Sequence, residues 1–146
     1  FFLVERTPFP DLLTTAWKIN ESLPGYLIER ARLELGSLEG KKVLVMGLAF
    51  KRDIDDSRNS LSYKAIKILR RQMADVLLHD PYLAPGDLKP MLAAADFVLV
   101  ATNHSEYLAL GAATLSDIGP TLISDVWNVF GTRQVLFSVP EGLPPA

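Results

Sequence analysis

The feature that most constrains this chain is the apolar run Val43-Leu44-Val45-Met46, stopped by Gly47 and followed by an amphipathic segment that begins near Ser60. A continuous apolar run this short suits a strand buried on both faces, and such a strand needs helices above and below it. The amphipathic segment supplies one. Leu61, Ala65, Ile68, Leu69 and Met73 form an apolar face, Lys64, Lys67, Arg70 and Arg71 lie outside it, and Ser60 stands where a cap is wanted.

The same texture repeats downstream. Val76 to His79 reads as a second strand ended by Asp80-Pro81, and a short helix over Leu88–Ala94 leads to a third strand, Phe97 to Ala101. Thr121–Ser124 and Val135–Ser138 read as a fourth and a fifth. This alternation predicts an α/β fold: a Rossmann-like open parallel sheet with helices on both faces. Right-handed crossovers place the first and third strands side by side, with the order reversing between them. Ligands of such sheets bind at the carboxyl ends of the strands near that reversal, so Gly47 to Arg58 and Thr102 to Tyr107 should line the crevice.

Ahead of the sheet lies an N-terminal helical arm. Leu12, Leu13, Ala16, Ile19, Leu23, Leu27, Ala31 and Leu35 recur at steps of three or four, with Pro24-Gly25 predicting a kink or two helices meeting. Residues 1–10 read as an irregular lead-in and the tail EGLPPA as loose. The division expected is a helical region over 1–38 and the sheet domain over 39–146.

Composition excludes several classes. With 146 residues, 49% hydrophobic and 22% charged, the chain suits one globular domain plus an extension. A net charge of −2 offers no basic face for nucleic acid. The absence of cysteine removes disulfides, thiolate metal sites and cysteine nucleophiles, and two separated histidines make no metal site. No apolar run approaches the roughly 20 residues of a membrane span, and no signal-like start is seen, so a cytoplasmic location without a membrane partner is expected. The chain opens on Phe1 rather than Met, and the expectation is a piece of something longer.

The densest polar segment is GLAFKRDIDDSRNS, residues 47–60. It sits where a dinucleotide fold carries G-x-G-x-x-G, yet Ala49 and Arg52 stand at the second and third glycine positions, so the standard NAD fingerprint is absent. The loop offers instead three cations, Lys51, Arg52 and Arg58, and three carboxylates, Asp53, Asp55 and Asp56, beside a helix start. Lys51 or Arg58 could reach a phosphate, with the carboxylates holding the cations in place. A solvated, self-paired loop capping a helix reads the same residues equally well.

GLAFKRDIDDSRNS resembles the GLAFK-x-D-x-DD-x-R-x-S motif of the UDP-glucose/GDP-mannose dehydrogenase family, the nucleotide-sugar 6-dehydrogenases. Residues 16–24, AWKINESLP, are similar to that family's A-R-x-I-N-x-S-M-P helix with Trp17 in place of arginine, and Asp80-Pro81-Tyr82 resembles its D-P-Y. The resemblance implies the C-terminal UDP-binding domain of an NAD-dependent enzyme that oxidises a sugar C6 alcohol to a uronate. The catalytic cysteine and the NAD-binding domain would lie outside this chain, leaving it inactive alone, with NAD held mainly by its own N-terminal domain. It further implies that Phe50 and Lys51 bind the UDP-sugar, that Arg58 reaches the cofactor, and that the leading helix joins two subunits through Tyr26, Leu27 and Ile28 as a homodimer.

Departures from the family pattern are Asn59 and Leu61, where Glu and Pro are usual, and Trp127, which replaces the substrate-binding arginine of a D-x-R-N turn in Ser124-Asp125-Val126-Trp127-Asn128. His104 tilts the substrate toward a UDP-N-acetylhexosamine rather than UDP-glucose, since family members acting on acetamido sugars tend to have histidine there. A loop histidine bonded to backbone is the plainer reading. His79 beside Asp80 suggests acid–base work, or merely a strand neighbour. Two other functions stay open: a stand-alone nucleotide-binding module, and a dimerisation domain without catalysis.

Overall fold

Every residue of β1 (Lys42–Met46) after the first is fully buried, as a strand covered on both sides must be. The computed structural model describes residues 10–111, 114–115, 118–119 and 121–140; all of the expected lead-in over 1–10 except Pro10, and the tail EGLPPA, lie outside them. Around β1 stand α1 (Asp11–Leu35), α2 (Ser62–Arg71), β2 (Asp75–His79), α3 (Leu88–Ala94), β3 (Phe97–Val100), α4 (Ser105–Leu108), β4 (Thr121–Asp125) and β5 (Leu136–Val139).

The sheet order is β2-β1-β3-β4-β5, with β1 and β3 adjacent and the order reversing between them as expected. Alternate residues feed opposite layers because strand side chains alternate in direction. Val43, Val45, Phe97 and Leu99 pack under α1 and α2, whereas Leu44, Met46, Val98 and Val100 pack against α3 and the Tyr107–Phe130 side. The chain therefore has the predicted α/β, Rossmann-like architecture with helices on both faces.

Several particulars differ from the sequence reading. The first four strands are parallel, but β5 runs antiparallel to β4, Leu122 facing Ser138. Residues 126–135 are too short a connection for a parallel crossover, which needs about a dozen residues or more. Pro24 does not divide the leading segment; α1 runs as one helix through it. In the turn before the proline side chains add bonds to main-chain carbonyls: Ser22 Oγ donates to that of Ile19 at 2.8 Å and Lys64 Nζ to that of Glu21 at 2.6 Å.

On α2 the buried face is Ser62, Ala65, Ile66 and Leu69, while Met73 is exposed at φ +57°, where it ends the helix. The N-cap position falls to Leu61 rather than the expected Ser60, whose hydroxyl accepts the Ser62 N–H at 3.2 Å from one residue further out.

The leading helix divides its length between two environments. Leu27, Ile28 and Ala31 are buried in the same cluster as β1 and α2. Leu12, Trp17 and Ile19 of its first half are exposed.

Candidate functional site

The site begins where β1 stops. Gly47 sits at φ +92°, and a Cβ there would lie 2.5 Å from the Thr102 Cβ and 2.7 Å from the Thr102 nitrogen. The exits of β1 and β3 touch at this point, and only glycine fits. Beyond it the loop is fastened residue by residue. Gly47 N–H donates to the His79 carbonyl at 2.8 Å, and Leu48 and Ala49 N–H both donate to one oxygen of Asp80, at 2.6 and 3.0 Å. Phe50 N–H donates to the Asp56 carbonyl at 2.8 Å, and Thr102 Oγ1 donates to the Ala49 carbonyl at 2.7 Å.

Asp80 is the hub of these contacts. It is fully buried, and its second oxygen accepts the Tyr82 and Leu83 N–H groups at 2.9 and 3.0 Å. Burial alone would raise its pKa. The four main-chain donors outweigh that and hold the carboxyl below the usual range.

His104, also fully buried, bridges outward from Asp80: Nε2 lies 3.0 Å from the Asp80 carboxylate and Nδ1 accepts the Asp53 N–H at 3.0 Å. Asp53, at φ +57°, accepts from the Ser105 hydroxyl and, at 2.9 Å, from the Ser105 N–H; these bonds lower its pKa. Next to this network His79 meets Tyr107, whose hydroxyl lies 2.8 Å from Nδ1, and the Gly86 carbonyl at 3.2 Å from Nε2. Burial first, then the charges of Asp80 and Glu106, push the Tyr107 phenol up.

The polar loop thus has an inner half consumed by its own fold and an outer tip that is not. Phe50 and Lys51 project from that tip, and the Lys51 ammonium lies 5.6 Å from the Phe50 ring centroid. Lys51 makes no ion pair among the described residues. The expected cation-holding carboxylates behave differently: Asp56 grips Arg58 through both its oxygens, the closest contact being 2.7 Å, whereas Asp53 is taken by Ser105. The hydrogen bonds from the Arg58 side chain and then its main chain hold the Asp56 pKa at about 2. Arg58 nevertheless stays well exposed.

Phe50 also walls a cleft of about 200 Å³ at the carboxyl ends of β1, β3 and β4. Its other walls include Asn20, Leu23 and Pro24 of α1, Thr102, and Trp127 from the loop after β4. The Trp127 indole N–H donates to the Ala101 carbonyl at 3.1 Å, so the turn presents an aromatic wall at the place where the motif implies an arginine. The cleft lies at the reversal of strand order, where the topology directs ligands.

This arrangement bears out the plainer reading of His104, removes the acid–base reading of His79 and narrows the proposed subunit contact. His104 is sealed inside and bonded to backbone, so it cannot touch a sugar and carries no argument about which sugar is bound. His79, at the end of β2, is taken up by Tyr107 of α4 and by the Gly86 carbonyl. Leu27 and Ile28 are spent in the core, which leaves Tyr26 as the exposed member of the proposed subunit contact. Thr102 was expected to line the crevice and Asp80 to belong to the D-P-Y resemblance, but neither was read as a partner of the loop after β1.

The loop does not fit a dinucleotide pyrophosphate. In a dinucleotide fold the N–H groups after the first strand face phosphate; here those of Leu48 and Ala49 point at Asp80, and that of Phe50 at Asp56. A carboxylate of the chain itself occupies the donors that the pyrophosphate of NAD would need.

Residues 44–132 match the model of the UDP-glucose/GDP-mannose dehydrogenase family, UDP binding domain. A UDP-N-acetyl-D-mannosamine dehydrogenase of Methanococcus maripaludis is 27% identical over 143 residues, covering 93% of this chain and 33% of that protein. A UDP-glucose 6-dehydrogenase of Haloferax volcanii is 35% identical over 113 residues, covering 69% and 26%. Among solved structures, the UDP-N-acetyl-mannosamine dehydrogenase of Staphylococcus aureus superposes with a TM-score of 0.71 at 27% identity, covering 92% of this chain and 34% of that one. The chain thus spans about a third of the length of the curated relatives it matches.

Proposed function

The chain belongs to the UDP-glucose/GDP-mannose dehydrogenase family, and we propose that it is the C-terminal, UDP-sugar-holding part of an NAD-dependent 6-dehydrogenase. The observation that carries this reading is the placement of Phe50 and Lys51: an aromatic ring that walls a cleft beside the strand-order reversal and, next to that ring, a cation with no ion pair among the described residues. Lys51 neutralises diphosphate charge as a point cation, and Phe50 positions the nucleotide sugar. Arg58, exposed but oriented by Asp56, reaches toward a cofactor held elsewhere. NAD in this reading belongs to a separate N-terminal domain, in keeping with the occupied donors of the β1 loop. The relatives' names favour a UDP-N-acetylhexosamine or UDP-glucose as the sugar. The exposed apolar residues on the first half of α1 support a homodimer formed through that helix.

Calorimetric titration with UDP, UDP-glucose, UDP-N-acetylmannosamine and GDP-mannose tests the reading. Uridine nucleotides should bind in preference to GDP-mannose, and Lys51→Ala should weaken them about tenfold, the scale of a charge-assisted contact. A folded chain that binds none of them, or binds equally well without Lys51, contradicts it. With NAD and a UDP-sugar added, the 146-residue chain should show no turnover, since it contains no cysteine to act as nucleophile.

A further inference from the structure

Lys51 and Phe50 lie between two anchor points. On one side Ala49 is tied by its N–H to Asp80 and by its carbonyl to Thr102. On the other side Asp53 is tied by its N–H to His104 and by its carboxylate to Ser105. Both anchors lead back to Asp80, directly for Ala49 and through the imidazole for Asp53. Resting on the reading that Phe50 and Lys51 hold the nucleotide sugar, we propose that His104 is a positioning residue for that pair, a neutral two-ended strut between the Asp80 carboxylate and the Asp53 main chain.

The two partners of the ring dictate its protonation. Nδ1 faces an N–H donor at 3.0 Å and must be the bare acceptor, while Nε2 faces a carboxylate at 3.0 Å and must carry the hydrogen. Only the Nε2–H tautomer satisfies both; an imidazolium sets one N–H against another. No solvent reaches the ring to offer an alternative partner, since it is fully buried. The groups that face it are the carboxylates of Asp80 and of Asp53, the latter 3.7 Å from Nδ1, and the rings of Tyr82 and Tyr107 at 5.3 and 5.5 Å.

The strut also answers a conformational question. Asp53 is held at φ +57°, a region that residues other than glycine enter at a cost and keep only when surrounding contacts enforce it. The bond from its N–H to His104 and the two bonds to Ser105 are those contacts. Released from them, Asp53 relaxes toward ordinary backbone angles and Lys51, two residues before it, loses its fixed direction.

The test uses the 146-residue chain with three readouts: the 15N signature of the His104 ring, hydrogen exchange at the Asp53 amide, and titration with UDP. The wild type should show the Nε2–H tautomer at neutral pH and a protected Asp53 amide. His104→Phe fills the space but can neither accept nor donate. It should unprotect that amide and weaken UDP about tenfold, the effect of one lost buried hydrogen bond. His104→Gln, which can do both, should recover each property to within about threefold. The Nδ1–H tautomer in the wild type, or a His104→Phe protein with wild-type protection and affinity, overturns the proposal.

Should His104→Phe fail to fold, the wild type decides: an Asp53 amide that exchanges freely likewise overturns the proposal, because the bond to His104 is then not held in solution. A wild-type chain that binds no UDP overturns the nucleotide reading instead, and the tautomer and amide exchange then decide the strut alone.

Discussion

Two loops close the carboxyl ends of the central strands, and each is organised by a buried aspartate, but from different distances. The loop after β4 is held by its own strand: Asp125 accepts the Trp127 N–H at 3.2 Å and the Phe130 N–H at 2.9 Å, two and five residues on. The loop after β1 is held by a neighbour: Asp80, beyond the end of β2, reaches Leu48 and Ala49 more than thirty residues back. The local device shapes a turn that presents an indole. The distant one couples three segments of chain, because Asp80 also engages its own turn and, through His104, the loop after β3. The β1 loop is therefore fastened on both sides of the exposed tip that carries Phe50 and Lys51.

Substitutions should separate the two devices by size. Asp80→Ala leaves four main-chain donors and His104 without their acceptor. It should cost about 4 kcal/mol in a urea unfolding experiment, in the range for removing one partner of a buried charged network. Gly47→Ala should follow at about 3 kcal/mol, because it combines a disfavoured backbone angle with overlap on the Thr102 main chain. Asp125→Ala strands only two donors and should cost about 2 kcal/mol by the same assay. Equal losses for Asp80 and Asp125 would erase the contrast between a distant hub and a local cap.

The acid limb of stability should show the smallest effect. Asp56, Asp53 and Asp80 all have native pKa values below their unfolded ones. Depressed carboxyls contribute stability that is present above the unfolded value of about 4 and is lost as pH falls through the native values. Unfolding followed from about pH 5 downward should therefore weaken progressively, with the Asp56 contribution draining between about 4 and about 2. Asp56→Asn should make that limb shallower while leaving stability near neutrality little changed, as expected for an exposed pair. An unchanged limb would place Asp56 and Arg58 outside the energetics of the fold.

The contrast between the loops also explains what the sequence could reveal. Strand identity was legible because Val43–Met46 and Phe97–Val100 are buried on both faces and so are apolar without interruption. The order reversal followed from handedness alone. The direction of β5 was written only in the length of residues 126–135. Hidden entirely was the fate of polar side chains whose partners are remote in sequence. His104 read as a loop residue, bonded to backbone or turned to a ligand, with no sign of its link to Asp80, and Asp80 read as the start of a turn, because burial by neighbouring segments leaves no periodicity. Asp53, Asp55 and Asp56 were equivalent on paper; only the fold gives Arg58 to one of them and Ser105 to another.

The most direct test of the central claim is to map amide shifts of the 15N-labelled chain on adding UDP. The largest changes should fall at residues 49–53 and 101–105, around Lys51 and the mouth of the cleft, and should vanish in Lys51→Ala. Changes centred elsewhere, or a map that Lys51→Ala leaves intact, would contradict the assignment of this loop as the nucleotide site.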